Sequence, residues 1–154
     1  MRARYGIYPH DQYLLETFSG ALRYEHLKQF VQRQQGDVRI EPHFHTLSDF
    51  SKATLHLSLD EAKSLVALVC STADMRTGRR ALVIVGARNF GFVDVFKSGL
   101  ETAGIVSKCF SHRDAALVWL GETCRRVKFL MPTESDVLSQ GILQTPLDLE
   151  CQGQ

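Results

Sequence analysis

The sequence predicts a single α/β domain with a mixed, mostly parallel five-stranded sheet and about four helices, in the order β-β-α-β-α-β-α-β-α. After an opening hairpin, strands alternate with helices, which implies crossover connections and parallel strands. The run Ala81–Val85 is continuously apolar and rich in β-branched residues, as expected for a strand buried on both faces of a sheet. The length of 154 residues suits one domain with a core of its own.

Two short β-type runs, Tyr5–Tyr8 and Tyr13–Phe18, open the chain. Turn-forming residues lie between them and predict a hairpin, which adds one antiparallel edge strand to the sheet. From Arg23 to Gln35 apolar residues recur at helical spacing, and Gly36 follows where a helix commonly ends.

The middle of the chain holds a predicted third strand and a second helix. His43–Leu47 follows a proline and has strand character, whereas Ser48–Leu57 is predicted to be a loop. Ser58 and Glu61 then have the spacing of a capping box, in which each side chain accepts a hydrogen bond from the other residue's backbone amide. The helix that begins there is predicted to run to Met75 or Arg76, with Gly78 closing it.

The remaining elements are two strands and two helices. Ala81–Val85 precedes a third helix, marked by apolar residues from Phe92 to Leu100, and Ile105–Phe110 is a fifth strand. Asp114 complements the dipole at the start of a last helix, Arg113–Leu120. If the strands lie in sequence order, right-handed crossovers place the helices mostly on one face of the sheet.

Residues 1–121 are predicted to form the α/β domain, and residues 122–154 a C-terminal extension. Beyond Lys128 there is no Lys or Arg, while acidic and apolar residues continue. We expect this extension to be partly ordered or to dock on a neighbouring surface, either its own or that of another subunit.

Composition argues against several classes of partner. The net charge is +1, so no overall field attracts nucleic acid or an anionic membrane. No apolar run approaches the roughly 20 residues that span a bilayer, and no apolar signal region follows the N-terminus. We therefore expect a cytoplasmic protein with neither nucleic acid nor membrane as its partner.

The sequence contains no motif that indicates catalysis or a cofactor. His43, His45 and His56 are the candidate metal ligands, but no Cys or carboxylate stands near them at a ligand spacing. No G-x-S-x-G elbow is present to hold a serine nucleophile. The chain is therefore expected not to be an enzyme and to carry no metal or cofactor.

The segment Gly86–Gly91 follows a buried strand and opens a helix, which is where open α/β sheets bind ligands. It lacks the middle glycine of G-x-G-x-x-G and the lysine of a P-loop. It is interpreted either as a pocket mouth or partner-facing loop, or as a turn that needs glycine for its backbone. In the first case the surface consists of Gly86, Arg88, Asn89, Phe90 and Phe92, with Arg88 able to hold an anion.

Residues 81–120 contain, in order, an apolar strand, a loop, an amphipathic helix, an aliphatic strand ending in Phe110 and a capped helix. That last helix closes in Ala116-Leu117-Val118-Trp119-Leu120. Phe18-Ser19-Gly20 ends the opening hairpin, and Asp49 follows a strand. In these residues, and mainly in residues 81–120, the chain resembles the SpoIIAA-like, STAS-related bacterial domains over about residues 5–121.

The resemblance implies a regulatory module that binds a protein partner. In STAS domains proper, phosphorylation of a Ser at a helix N-terminus switches that binding, and Ser58 is the nearest counterpart here. The family's site usually has Asp before the Ser and a small residue after it, whereas this chain has Leu57 and Leu59. Ser58 is thus a possible phosphorylation site or simply the cap of its helix.

Two functions follow from these observations. The first is a non-catalytic module that binds a protein partner, and the second is a domain that binds a small apolar or anionic ligand beside Gly86–Gly91. The helix that begins near Phe90 has more apolar residues than one buried face needs, which predicts a homodimer through this helix unless the C-terminal extension covers it. A filled interior would favour the first function, and a deep apolar pocket the second.

Overall fold

The structure is a computed structural model of the full chain. It describes residues 1–71, 77–86 and 89–121, together with the backbone of a strand at residues 144–147. The side chain of Phe90 lies outside that description, as do Ala87 and Arg88.

Six strands and four helices make up the described fold. In chain order they are β1 (Arg2–Tyr8), β2 (Tyr13–Arg23), α1 (Tyr24–Gln35), β3 (His45–His56), α2 (Leu59–Cys70), β4 (Arg80–Val83), α3 (Phe90–Thr102), β5 (Ser107–Phe110), α4 (Arg113–Gly121) and β6 (Gln144–Leu147). The predicted order of the first nine elements is confirmed.

The strands form one sheet in the order β5-β4-β3-β2-β1-β6. Strands β2 to β5 run parallel to one another, whereas β1 pairs antiparallel with β2. This confirms a mixed, mostly parallel sheet whose strands lie in sequence order. The sixth strand goes beyond the five predicted, because Gln144–Leu147 of the C-terminal extension pairs antiparallel with β1. The proposed boundary at residue 121 stays a prediction.

Side chains alternate between two hydrophobic cores on opposite faces of the sheet. In β4, Leu82 belongs to the larger core beneath α1, α2 and α3, while Ala81 and Val83 face α4. The smaller core is completed by Leu117 and Leu120 of α4. Three helices thus cover one face and one helix covers the other, as right-handed crossovers in sequence order predict.

The segment Ser48–Leu57, predicted to be a loop, lies almost entirely within the long strand β3. The prediction was wrong because Ser48 and Asp49 are polar, although both are buried and hold partners inside the protein. For the same reason Asp49 lies within the strand rather than after it. Phe50 and Leu55 supply the apolar packing of this strand in the larger core.

Candidate functional site

The N-terminal ends of α2 and α3 lie side by side at the edge where the parallel strands end. Between them is a depression of about 180 Å³, to which Ser58 and Phe92 both contribute. We call it the N-terminal depression. Its lining residues are Leu55, Leu57, Ser58, Leu59, Ala62, Gly91 and Phe92. The structure therefore brings the predicted serine and part of the predicted Gly86–Phe92 surface to one place.

Ser58 forms the capping box that the sequence predicted. Its hydroxyl accepts a hydrogen bond from the Glu61 amide at 3.2 Å, and the Glu61 carboxylate accepts one from the Ser58 amide at 2.8 Å. Ser58 is exposed, and so is Leu59, whose side chain is 58% accessible. The cap accounts for a serine at this position, and phosphorylation of Ser58 stays a prediction.

The first glycine and the asparagine of the loop before α3 both have a structural role. Gly86 has φ of +91°, a left-handed conformation that residues with a side chain rarely adopt. Asn89 is only 2% exposed, so its amide does not contribute to an outer surface. Arg88 and the side chain of Phe90 lie outside the described residues, and a binding role for this loop stays a prediction.

The Asn89 side chain forms hydrogen bonds with the end of β3 that extends beyond β4. Strand β4 pairs with β3 only as far as Asp49, so the following backbone groups on that side of β3 have no neighbouring strand. The Asn89 carboxamide oxygen accepts a hydrogen bond from the Leu55 amide at 3.2 Å, and its nitrogen donates to the Ala53 carbonyl at 3.3 Å. A buried side chain thus replaces the missing strand, because buried backbone groups need partners.

Phe92 lines the N-terminal depression but is largely buried, so it offers little surface to a partner. It is 7% exposed, and its ring packs against Phe50 and Phe96 with centroids 6.0 Å and 5.2 Å away. Phe96 and Leu100 are buried as well. Most of the surplus apolar residues on α3 therefore pack into the larger core, and a homodimer through this helix stays a prediction.

An open apolar groove runs between α2 and α3 beyond the N-terminal depression. Its volume is about 650 Å³, and we call it the α2–α3 groove. The residues that line it are Lys63, Val66, Ala67, Cys70, Asp94, Val95, Ser98, Gly99, Thr102 and Ala103. The helices approach closely at its floor, because a Cβ atom on Gly99 would lie 2.0 Å from Val66. Lys63 and Asp94 give the groove one charge of each sign.

Cys70 lines this groove but does not have the character of a reactive thiol. Burial raises its pKa above the usual value, and Arg80 opposes that rise. The thiol lies 3.7 Å from the Gly99 carbonyl, to which it donates a weak hydrogen bond. A raised pKa keeps the sulfur protonated at neutral pH, whereas a nucleophilic cysteine needs the thiolate.

A buried polar cluster on the α1–α3 side of the sheet was not predicted from the sequence. It consists of Glu16, Gln34, Ser48 and Arg80, each at most 6% exposed. The Glu16 carboxylate accepts hydrogen bonds from Gln34 at 2.8 Å and from Ser48 at 2.5 Å. We call it the Glu16–Arg80 cluster. The sequence feature that could have revealed this cluster is the position of Glu16, which shares one face of β2 with the apolar residues Leu14 and Phe18.

Arg80 is the least well paired member of that cluster. One terminal nitrogen of its guanidinium lies 3.7 Å from Glu16, which is within ion-pair range but too long for a hydrogen bond. The guanidinium also lies 6.0 Å from the centre of the Phe96 ring. Removing ions from water costs several kcal/mol each, about as much as a good hydrogen-bonded pair returns. A guanidinium this buried therefore needs further acceptors.

A second ion pair lies on the opposite face of the sheet. Arg113 at the start of α4 donates to Asp49 at 2.6 Å and 2.5 Å, and the Ser51 amide donates to the same carboxylate. Tyr8 and Tyr13 stack nearby with centroids 4.6 Å apart. Burial raises the pKa of both phenols, and the Arg113 guanidinium opposes that rise. This cluster joins α4 to β3.

The three histidines do not converge on a metal site. His45 accepts a hydrogen bond from the Arg79 amide at 2.9 Å, and burial lowers its pKa below the usual value. His43 precedes β3, whereas His56 is the last residue of that strand. Within the described ranges, no group of three or more His, Cys, Asp or Glu side chains is arranged to hold a metal ion.

The length and apolar character of the described helices bear on whether any of them could cross a membrane. Among the residues that the structure describes, the longest helix is α3 with 13 residues, and none has the length and apolar character needed to cross a bilayer.

No family model matches the chain, and no curated protein matches it. Among solved structures, the chain is similar to an uncharacterized protein of the DUF3478 family from Shewanella loihica, which is described as having a SpoIIAA-like fold. The two are 20% identical over 70% of this chain and 83% of that chain, with a TM-score of 0.47. The fold name is the one that the sequence resemblance implied. A likeness of this degree carries no conclusion about what this chain does.

Proposed function

We propose that the protein is a non-catalytic binding module that receives a protein partner in the α2–α3 groove. The observation that carries the proposal is this groove itself, about 650 Å³ in volume, open to solvent and lined mainly by small and apolar residues of two helices. Such grooves receive the apolar face of an amphipathic helix. Lys63 and Asp94 offer charges for the polar edges of that helix.

Two further features support a binding role rather than catalysis. The cavity beneath α1 and α2 measures about 30 Å³, far below the several hundred Å³ of a substrate pocket. The buried ionisable groups Glu16 and Asp49 are each engaged by neighbouring side chains that hold the fold together. Among the described residues, this interior cavity is small, and the much larger α2–α3 groove lies on the surface between two helices.

A charge placed in the lining of the groove tests the proposal. Ala67 is exposed on α2 and lines the groove, so Ala67→Glu introduces a carboxylate there while keeping a residue that favours a helix. Ser64→Glu is the matched control, because Ser64 is exposed on the same helix but does not line the groove. Circular dichroism should find both variants folded.

A photo-crosslinking residue at position 67, and separately at position 64, would be placed in the chain within its native cell. We expect a crosslinked protein from position 67 that is absent from position 64. Once purified, that protein should bind the Ser64→Glu variant like wild type and the Ala67→Glu variant at least tenfold more weakly. Equal binding to both variants would contradict the proposal, and a crosslink to a second copy of the chain would replace the foreign partner with a homodimer.

A further inference from the structure

The Glu16–Arg80 cluster leaves one buried cation short of acceptors. The side chain of Arg80 is 8% exposed, and its ion pair with Glu16 spans 3.7 Å. No guanidinium nitrogen of Arg80 donates a hydrogen bond to another side chain or backbone group of residues 1–71, 77–86 or 89–121. Since a guanidinium has five N–H donors, its hydrogen-bonding capacity is almost entirely unused.

Glu16 is not placed to satisfy these donors. Its Oε1 lies 3.7 Å from the Arg80 Nη2, beyond hydrogen-bond distance, while its two oxygens accept hydrogen bonds from Gln34 and Ser48. These bonds fix the carboxylate to α1 and β3. A further acceptor for Arg80 must therefore come from the space beside it.

That space is a small cavity with a polar floor and aromatic walls. The four residues of the Glu16–Arg80 cluster all line it, and its volume is about 30 Å³. A buried water needs about 10–15 Å³ on this measure, so the cavity has room for roughly two waters or for a group of about three heavy atoms. The rings that form its walls are those of Phe18, Phe30, Phe50, Phe92 and Phe96.

We infer that this cavity is a binding site for a carboxylate group, either of a small free acid or at the end of a larger molecule. A carboxylate is planar, has three heavy atoms and accepts two parallel hydrogen bonds from a guanidinium. The apolar walls suit the carbon that carries it. The charge of Glu16 opposes the incoming anion, and the site is therefore a weak one. It is independent of the α2–α3 groove and goes beyond the proposed function.

The test is thermal unfolding of the full chain in sodium acetate and in sodium chloride at equal ionic strength and pH. A tenfold excess of acetate over its Kd should raise Tm by about 3–6 °C. Formate should act in the same way, whereas formamide, which has the same shape without the charge, should not. If acetate and chloride give the same Tm, or if formamide equals formate, the cavity holds only water and the inference is overturned.

Two variants and a control assign the effect to the cavity. Arg80→Met should abolish the acetate shift, and Glu16→Gln should tighten acetate binding about tenfold because the opposing charge is gone. Arg79→Met should respond like wild type, since the Arg79 guanidinium lies 5.2 Å from the Trp119 ring and away from the cavity. An acetate shift that persists in Arg80→Met overturns the inference. If that variant does not fold, an unchanged affinity in Glu16→Gln overturns it equally.

The source of the carboxylate follows from a series of straight-chain acids. Binding that is strongest for formate or acetate assigns the site to a free small acid. Binding that strengthens steadily from acetate to hexanoate assigns it to the end of a larger molecule. Either order supports a carboxylate site at Arg80, provided that Arg80→Met removes it.

Discussion

Because α2 and α3 are in close contact, replacing glycine by alanine should have opposite effects on the free energy of unfolding at the two glycines of α3. A Cβ atom on Gly99 would lie 2.0 Å from a methyl group of Val66, about 1.4 Å nearer than the 3.4 Å at which ordinary contact begins. Val66 is β-branched and helical, so its side chain cannot easily rotate away. Overpacking of this kind costs about 1–3 kcal/mol, whereas Ala in place of Gly gains up to about 1 kcal/mol in a helix. Gly99→Ala should therefore lower the free energy of unfolding by about 1 kcal/mol.

Gly91→Ala is the matched control on the same helix, because nothing lies within 4 Å of a Cβ atom at Gly91. It should stabilise the protein by about 0.5 kcal/mol. Urea unfolding of both variants, alone and with Val66→Ala, separates the two contributions. In the Val66→Ala background the clash is gone, and Gly99→Ala should become neutral or stabilising. If Gly99→Ala stabilises the otherwise wild-type protein as much as Gly91→Ala does, the described contact between α2 and α3 is wrong.

Two further predictions concern the ionisable groups. Arg113→Met should destabilise the protein by about 2 kcal/mol in urea unfolding, because it leaves the buried Asp49 carboxylate without its cation. Adding Asp49→Asn should recover part of this loss of stability. If the destabilisations of the two single variants simply add in the double variant, the two side chains do not interact. Burial lowers the folded-state pKa of His45 below 6.5, so the unfolded chain takes up the proton more readily. The stability contributed by His45 is thus complete above about pH 6.5 and is lost as the pH falls toward the lower folded-state pKa. His45→Gln should flatten this part of the stability profile, and an unchanged profile would contradict the assignment.

The sequence predicted the order of elements because apolar periodicity was strong where it decided the fold. The β-branched run ending at Val85 marked β4, and the Ser58 capping box marked the start of α2. Periodicity failed in β3, where polar residues face inward toward partners that are distant in sequence. Asp49 pairs with Arg113, which lies 64 residues further along the chain, and no local sequence pattern indicates so distant a partner.

The candidate sites were harder to predict for the same reason. Ser58 and Phe92 could each be singled out from local motifs, but only the fold brings them to one depression. The excess of apolar residues on α3 could not distinguish an exposed patch from a helix that packs against both the sheet and α2. Arg80 and Glu16 are 64 residues apart and fall on different strands. Their burial is a property of the assembled sheet.

The Glu16–Arg80 and Asp49–Arg113 ion pairs lie on opposite faces of the sheet, and this arrangement bears on the register of β3. Ser48 points into the larger core toward Glu16, while the next residue, Asp49, points toward Arg113 of α4. Because side chains alternate along a strand, a slip of β3 by one residue would exchange these faces, which separates Asp49 from Arg113 and Ser48 from Glu16. Apolar residues alone would tolerate such a slip better, since both faces of β3 are hydrophobic. The polar residues that led to the prediction of a loop therefore help to specify the register of β3 in the sheet.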